Sequence, residues 1–114
     1  FPMPGRLMAG AGASVAALAE ASGRQPDLVI GKPEPGLLRE AADLAGVPVE
    51  QAVVIGDGLR TDILAAQRVG ARSILVLTGV STAEMAATLP AAEQPTLIAE
   101  GPADLEAALQ RLEA

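Results

Sequence analysis

The stretch "VVIGDGLRTDI", residues 53–63, opens on a β-branched apolar run and breaks off at Gly56. Val53, Val54 and Ile55 suit a strand inside a parallel sheet, where both faces are covered and apolar residues run together instead of alternating. "Asp57-Gly58" is a turn dipeptide. Thr61 stands where an N-cap hydroxyl would start a helix, and Gly70 where a glycine would stop it. A strand feeding a helix through a short turn is the repeating unit of an α/β fold.

The same pattern recurs on both sides. "RSILVLTG", residues 72–79, and "TLIA", residues 96–99, read as further strands, and "DLVI", residues 27–30, has strand length and ends at Gly31 and Pro33. Helical spacing predicts helices over 13–23, with Val15, Leu18 and Ala19 on one side, and over 33–46, with Pro35 in the first turn and Gly46 at the end. Ser81 to Glu84 forms a capping-box pattern, and "PADLEAALQRLEA" reads as a last amphipathic helix. The opening "FPMPGRLMAGAG", residues 1–12, is rich in Pro and Gly and reads as a loop or linker. These elements predict one α/β domain, with a mainly parallel, Rossmann-like three-layer sheet. Right-handed crossovers then place the functional loops at the carboxyl ends of the strands, beginning at Gly31, Gly56 and Thr78.

Composition narrows the chemistry. The 114 residues carry a net charge of −6, which argues against a nucleic-acid or anionic-membrane surface. With no cysteine and no histidine, thiolate and imidazole catalysis and zinc–sulfur sites are excluded. No apolar run approaches the ~20 residues of a membrane span, and a cytoplasmic location is expected. What remains for chemistry is carboxylates, hydroxyls, backbone amides, arginine and the single lysine, Lys32. That lysine lies in "GKPEP", between Gly31 and Pro33.

Asp57 should project from the carboxyl end of its strand, with Asp62 in the first turn of the following helix. Two carboxylates beside a helix start suit Mg²⁺, which keeps several waters and takes one or two carboxylates plus substrate phosphate. Singly, each residue has a local explanation: a turn dipeptide, an acid favoured by the helix dipole, a solvated lysine. Together they gain weight, because Lys32 and Asp57 both follow apolar runs that a doubly wound sheet brings to one edge. A lysine there would hold a phosphate, or keep an acidic nucleophile ionised, at ~4 kcal/mol for 4 Å and an effective dielectric near 20.

In order, "GKPEP", "VVIGDGLRTDI" and "SILVLTGVST" resemble the carboxyl-terminal part of a haloacid dehalogenase (HAD) superfamily phosphatase. The likeness is to the NagD-like branch, with its p-nitrophenyl, phosphoglycolate and nucleotide phosphatases. "PGRLMAGAGASVAALAEASGRQP" resembles that branch where the chain returns from its cap domain. The resemblance implies a linker over 1–12 and a hydrolase core over 13–114. It also implies that Lys32 steadies the phosphate and the nucleophilic aspartate, that Asp57 ligates Mg²⁺, and that Asp62 supports the metal directly or through water. Gly31, Gly56 and Thr61 match the backbone-shaping and capping positions around them. A small phosphorylated metabolite is the implied substrate.

The family reaction also needs an Asp-x-Asp pair supplying the nucleophile and the acid. The aspartates here are at 27, 43, 57, 62 and 104, and no two of them form that pair. The chain, which opens on Phe and not Met, is therefore expected to be the carboxyl-terminal part of a longer enzyme, inactive alone and without the nucleophile strand and cap. Its unpaired strand edge is expected to self-associate or to pair with an amino-terminal part. The alternative is a non-catalytic α/β module that binds phosphate or Mg²⁺ or serves assembly. A phosphoacceptor receiver domain ranks third, since its lysine follows its acceptor aspartate whereas Lys32 precedes Asp57. "GAGAS" lacks a dinucleotide fingerprint, and "GVS", residues 79–81, lacks the surroundings of a nucleophile elbow.

Overall fold

The computed structural model describes residues 2–3 and 5–113. In chain order it comprises β1 (Pro2–Met3), β2 (Arg6–Leu7), α1 (Ala11–Ser22), α2 (Gly36–Ala45), β3 (Val53–Gly56), a π-type turn (Leu59–Ile63) continuing into α3 (Leu64–Arg68), β4 (Arg72–Val76), α4 (Ala83–Ala87), β5 (Leu97–Ala99) and α5 (Leu105–Glu113). β3, β4 and β5 form a parallel sheet in that order, with Val53 opposite Arg72 and Ile74 opposite Leu97.

The two-residue period of β4 builds the layers. Leu75 points to one face and packs with Leu59, Ile63 and Ala86, bringing the π-type turn and α4 against the sheet. Ile74 points to the other face and packs with Ala99 and Ala108, bringing α5 against it. Both β4 residues are fully buried, as expected for the middle strand of a covered parallel sheet. Ser73 continues the pattern without a cost in unpaired groups: its N–H donates to the Thr96 hydroxyl and its hydroxyl accepts from the Thr96 N–H.

Gly46 and Gly70 end their helices as the spacing predicts. Both take positive φ, at 70° and 72°. In each case the next amide reaches back five residues, Val47 to Ala42 and Ala71 to Ala66, the closing pattern that satisfies the last helical carbonyls.

Four expectations change. Residues 28–30 form no strand, and Leu28, Val29 and Ile30 are all exposed. No strand of the sheet pairs with them; the Ile30 carbonyl instead accepts from Leu37 N–H at 3.2 Å, fastening this segment to the start of α2. The unpaired strand edge that the sequence leads one to expect lies at β3, which borders the sheet with Ile55 42% exposed. Pro35 precedes α2 as its N-cap and does not lie in its first turn. At α4 the cap is Thr82, whose hydroxyl accepts from Met85 N–H, because Ser81 is engaged elsewhere. Within the stretch read as a linker, β1 and β2 pair antiparallel around Gly5 and α1 begins at Ala11; Phe1 and Pro4 lie outside the described residues. α1 buries no residue, which helps explain a radius of gyration of 15.7 Å where about 13 Å is usual for 100 residues.

Candidate active site

β3 ends at Gly56, and the chain turns through Asp57 and Gly58 into α3. Asp57 is half-buried, and its Oδ2 accepts the Val80 N–H at 3.0 Å. Its carboxylate lies against Gly79, where an added Cβ would overlap it. The next residue along, Ser81, is buried, and its hydroxyl accepts the Leu59 N–H at 3.0 Å. The loop after β4 therefore grips the loop after β3 twice, once on the carboxylate and once on the backbone.

Asp62 is fixed from the other direction. The Gly58 carbonyl accepts amides from Thr61, Asp62 and Ile63 at 3.3, 2.9 and 3.1 Å, and this sharing widens the first turn into its π form. Such turns are rare and frequently sit at functional sites. The Asp62 side chain folds back over Gly56, where an added Cβ would overlap its carboxyl group. Its Oδ2 accepts from Gly58 N–H at 3.1 Å and from the Thr61 hydroxyl at 3.4 Å. Its Oδ1 receives the Lys32 ammonium at 2.5 Å. With Asp62 6% exposed, this is a desolvated carboxylate holding a charge-assisted bond to a half-exposed lysine.

The structure brings Lys32 and Asp62 into direct contact, and Asp57 lies at the carboxyl end of β3 between Gly56 and Gly58, the two glycines that Asp62 touches. Lys32 arrives from the turn over residues 31–36, not from the end of a strand. Gly31 leaves open space around its α-carbon, whereas Gly56 is required by the closeness of Asp62. Thr61 is not the N-cap; Gly58 holds that place, and the Thr61 hydroxyl serves Asp62. Sequence reasoning missed Gly58, Gly79, Val80 and Ser81. The visible signal was "TGVS" immediately after an apolar strand, a position where backbone amides face the neighbouring loop.

Hard oxygen donors are the right chemistry for Mg²⁺. Asp57 Oδ1 takes no hydrogen bond among the described residues, whereas both Asp62 oxygens are occupied. Among the described residues no group of three or more acidic, histidine or cysteine side chains assembles a complete metal site. One available carboxylate fits an ion that keeps most of its waters.

This arrangement has relatives. Residues 29–108 match the model of the HAD-hydrolase-like family. The chain belongs to the HAD-hydrolase-like family. It is 42% identical over 79 residues to ribonucleotide monophosphatase NagD of Escherichia coli, covering 69% of this chain and 31% of that protein. This HAD-like chain also superposes on the p-nitrophenyl phosphatase from Archaeoglobus fulgidus with a TM-score of 0.78 and 34% identity, over 95% of this chain and 42% of that one. The Mycobacterium tuberculosis glycerol phosphate phosphatase, solved in complex with magnesium, gives a TM-score of 0.70 at 41% identity, over 81% and 27%. The chain thus spans about a third of the length of NagD. The α/β fold with its parallel sheet is that of these phosphatases.

Proposed function

We propose that the chain supplies the phosphate-steadying lysine and the metal-binding carboxylate of a Mg²⁺-dependent phosphomonoester hydrolase. The observation that carries this reading is the Lys32–Asp62 pair, whose aspartate touches the two glycines flanking Asp57 at the carboxyl end of β3. Asp62 orients the lysine and keeps its charge directed at the site edge, where a phosphate would be held. Asp57 offers Oδ1 as a ligand, with Val80 N–H fixing its other oxygen, and Asp62 supports the metal from behind through this framework. Mg²⁺ bound there would neutralise charge on a phosphoryl group. The substrate would be a small phosphorylated metabolite in the cytoplasm, neither nucleic acid nor membrane. The nucleophile would come from an Asp-x-Asp pair, which the 114 residues do not contain, so the chain by itself is proposed to be inactive. That same absence favours the second reading, a non-catalytic module that binds Mg²⁺ or phosphate.

A chimera separates the two. The chain replaces the matching segment of Escherichia coli NagD, and release of p-nitrophenol from p-nitrophenyl phosphate is measured with and without Mg²⁺. Mg²⁺-dependent turnover, abolished by Asp57→Asn and reduced at least a hundredfold by Lys32→Met, is expected. A folded chimera whose turnover survives both substitutions would overturn the reading.

A further inference from the structure

Lys32 is held by more than Asp62. On the same helical segment, six residues further on, the Arg68 guanidinium reaches the backbone of the lysine's own turn. Its Nη1 donates to the Pro33 carbonyl at 3.1 Å and to the Glu34 carboxylate at 2.6 Å. One nitrogen has two hydrogens, so each acceptor takes one. Six residues along a helix is about 9 Å. The turn over residues 31–36 is therefore fastened at two points along one element: the lysine side chain at the π-type turn, and the backbone just past the lysine at the end of α3.

Within the turn itself the ties are slight. Glu34 N–H donates to the Gly31 carbonyl at 3.1 Å, and Leu37 N–H to Ile30 at 3.2 Å. The residues leading in, 28–30, are exposed and belong to no strand. No sheet thus fixes the height or direction from which Lys32 approaches Asp62. Glu34 adds a competitor, being a carboxylate two residues from the lysine. With Arg68 in place the four charges alternate as two pairs, Lys32 with Asp62 and Glu34 with Arg68. Without it, Glu34 is unpaired and close in sequence to the ammonium that Asp62 must hold.

We infer that Arg68 is the positioning residue for Lys32: it anchors the lysine turn to α3 and withdraws Glu34 from competition, so that the ammonium stays on Asp62. The inference rests on the functional reading of Lys32 given above, but its test does not require turnover.

Lys32 is the only lysine in the chain, so amine chemistry reports on it alone once proteolysis and mass spectrometry separate the amino terminus and, in Arg68→Lys, the amine introduced at position 68. The rate of acetylation of Lys32 by an N-hydroxysuccinimide ester is measured in the 114-residue chain, native and in concentrated urea, and in Arg68→Gln, Arg68→Lys and Glu34→Ala. Native protection of about tenfold relative to urea is expected, most of it lost in Arg68→Gln and partly restored in Arg68→Lys, which keeps a donor and a charge. Glu34→Ala, which removes the competitor together with one anchor, should lose less protection than Arg68→Gln. A folded Arg68→Gln chain with wild-type protection would overturn the inference while leaving the Lys32–Asp62 pair intact. An Arg68→Gln chain that failed to fold would shift the decision to Arg68→Lys and Glu34→Ala: protection equal to wild type in both would overturn it. Absence of native protection in the wild type would instead remove the pair itself, and with it the reading on which the inference rests.

Discussion

The Lys32 ammonium lies 2.5 Å from Asp62 Oδ1, with the lysine side chain 44% exposed and the aspartate side chain only 8% exposed. The two partners do not depend on each other equally. Lys32 retains water as an alternative, whereas Asp62 has exchanged water for the lysine, an amide and a hydroxyl. Truncating the lysine therefore leaves a buried carboxylate short of one partner.

Lys32→Met is expected to destabilise the fold by about 1–3 kcal/mol, below the range for breaking a fully buried pair because the lysine is half solvated. Asp62→Ala should cost more than Asp62→Asn, since asparagine still presents an oxygen to Gly58 N–H. Urea denaturation measures both. A Lys32→Met chain as stable as wild type would place this pair among exposed ion pairs of negligible worth.

Gly79→Ala tests the seat of Asp57. The backbone at Gly79 does not require positive φ, so the objection to a methyl group is its overlap with the Asp57 carboxylate. The carboxylate should move and release Val80 N–H, at a cost of about 1–3 kcal/mol, typical of overpacking. Hydrogen exchange at the Val80 amide should accelerate in Gly79→Ala and in Asp57→Ala alike. An unchanged rate in the folded alanine variant would show that Asp57 had not moved.

Ser81→Ala removes the acceptor for Leu59 N–H, a buried donor with the π-type turn built on it. An unsatisfied buried donor costs about 1–3 kcal/mol. The guanidinium midpoint should fall, and exchange at Leu59 should rise.

The free edge of β3 predicts association. Ile55 is exposed beside an apolar groove of about 350 Å³ lined by residues of α2 and β3, among them Leu38, Ala42 and Val53. Edge strands of this character pair with other chains unless charge blocks them. Sedimentation of the 114-residue chain is expected to show self-association that Ile55→Lys reduces without loss of helical circular dichroism. A monomeric wild type at the same concentration would contradict the expectation.

Glu84 gives a pH dependence with a definite sign. A hydrogen bond from the Thr82 hydroxyl, aided by its own backbone N–H, holds its carboxyl below the ordinary glutamate value. A depressed carboxyl pKa contributes stability above its unfolded value and loses it as pH falls through the folded one. A ¹³C titration of the Glu84 carboxyl should show a midpoint lowered relative to Thr82→Ala; equal midpoints would remove the hydrogen bond as the cause.

The sequence by itself determined the alternation of strands and helices, the glycine stops at Gly46 and Gly70, the excluded chemistries, and the identity of Lys32, Asp57 and Asp62 as the residues to watch. Those features are local: hydrophobic period, turn chemistry and helix ends act over a few residues and can be read along the chain. Only the tertiary structure decided that residues 28–30 form no strand, because a strand exists only where a neighbour supplies its hydrogen bonds. It also decided that Ser81 serves Leu59 and leaves capping to Thr82, and that Thr61 gives way to Gly58 as N-cap. For Ser81 a partner 22 residues away outcompetes the local one; for Thr61 the change is local, its hydroxyl serving the adjacent Asp62, whose side chain crowds against Gly56. The lysine's contact spans 30 residues and follows from the packing that brings the 31–36 turn onto α3. A one-dimensional pattern does not encode such a distance.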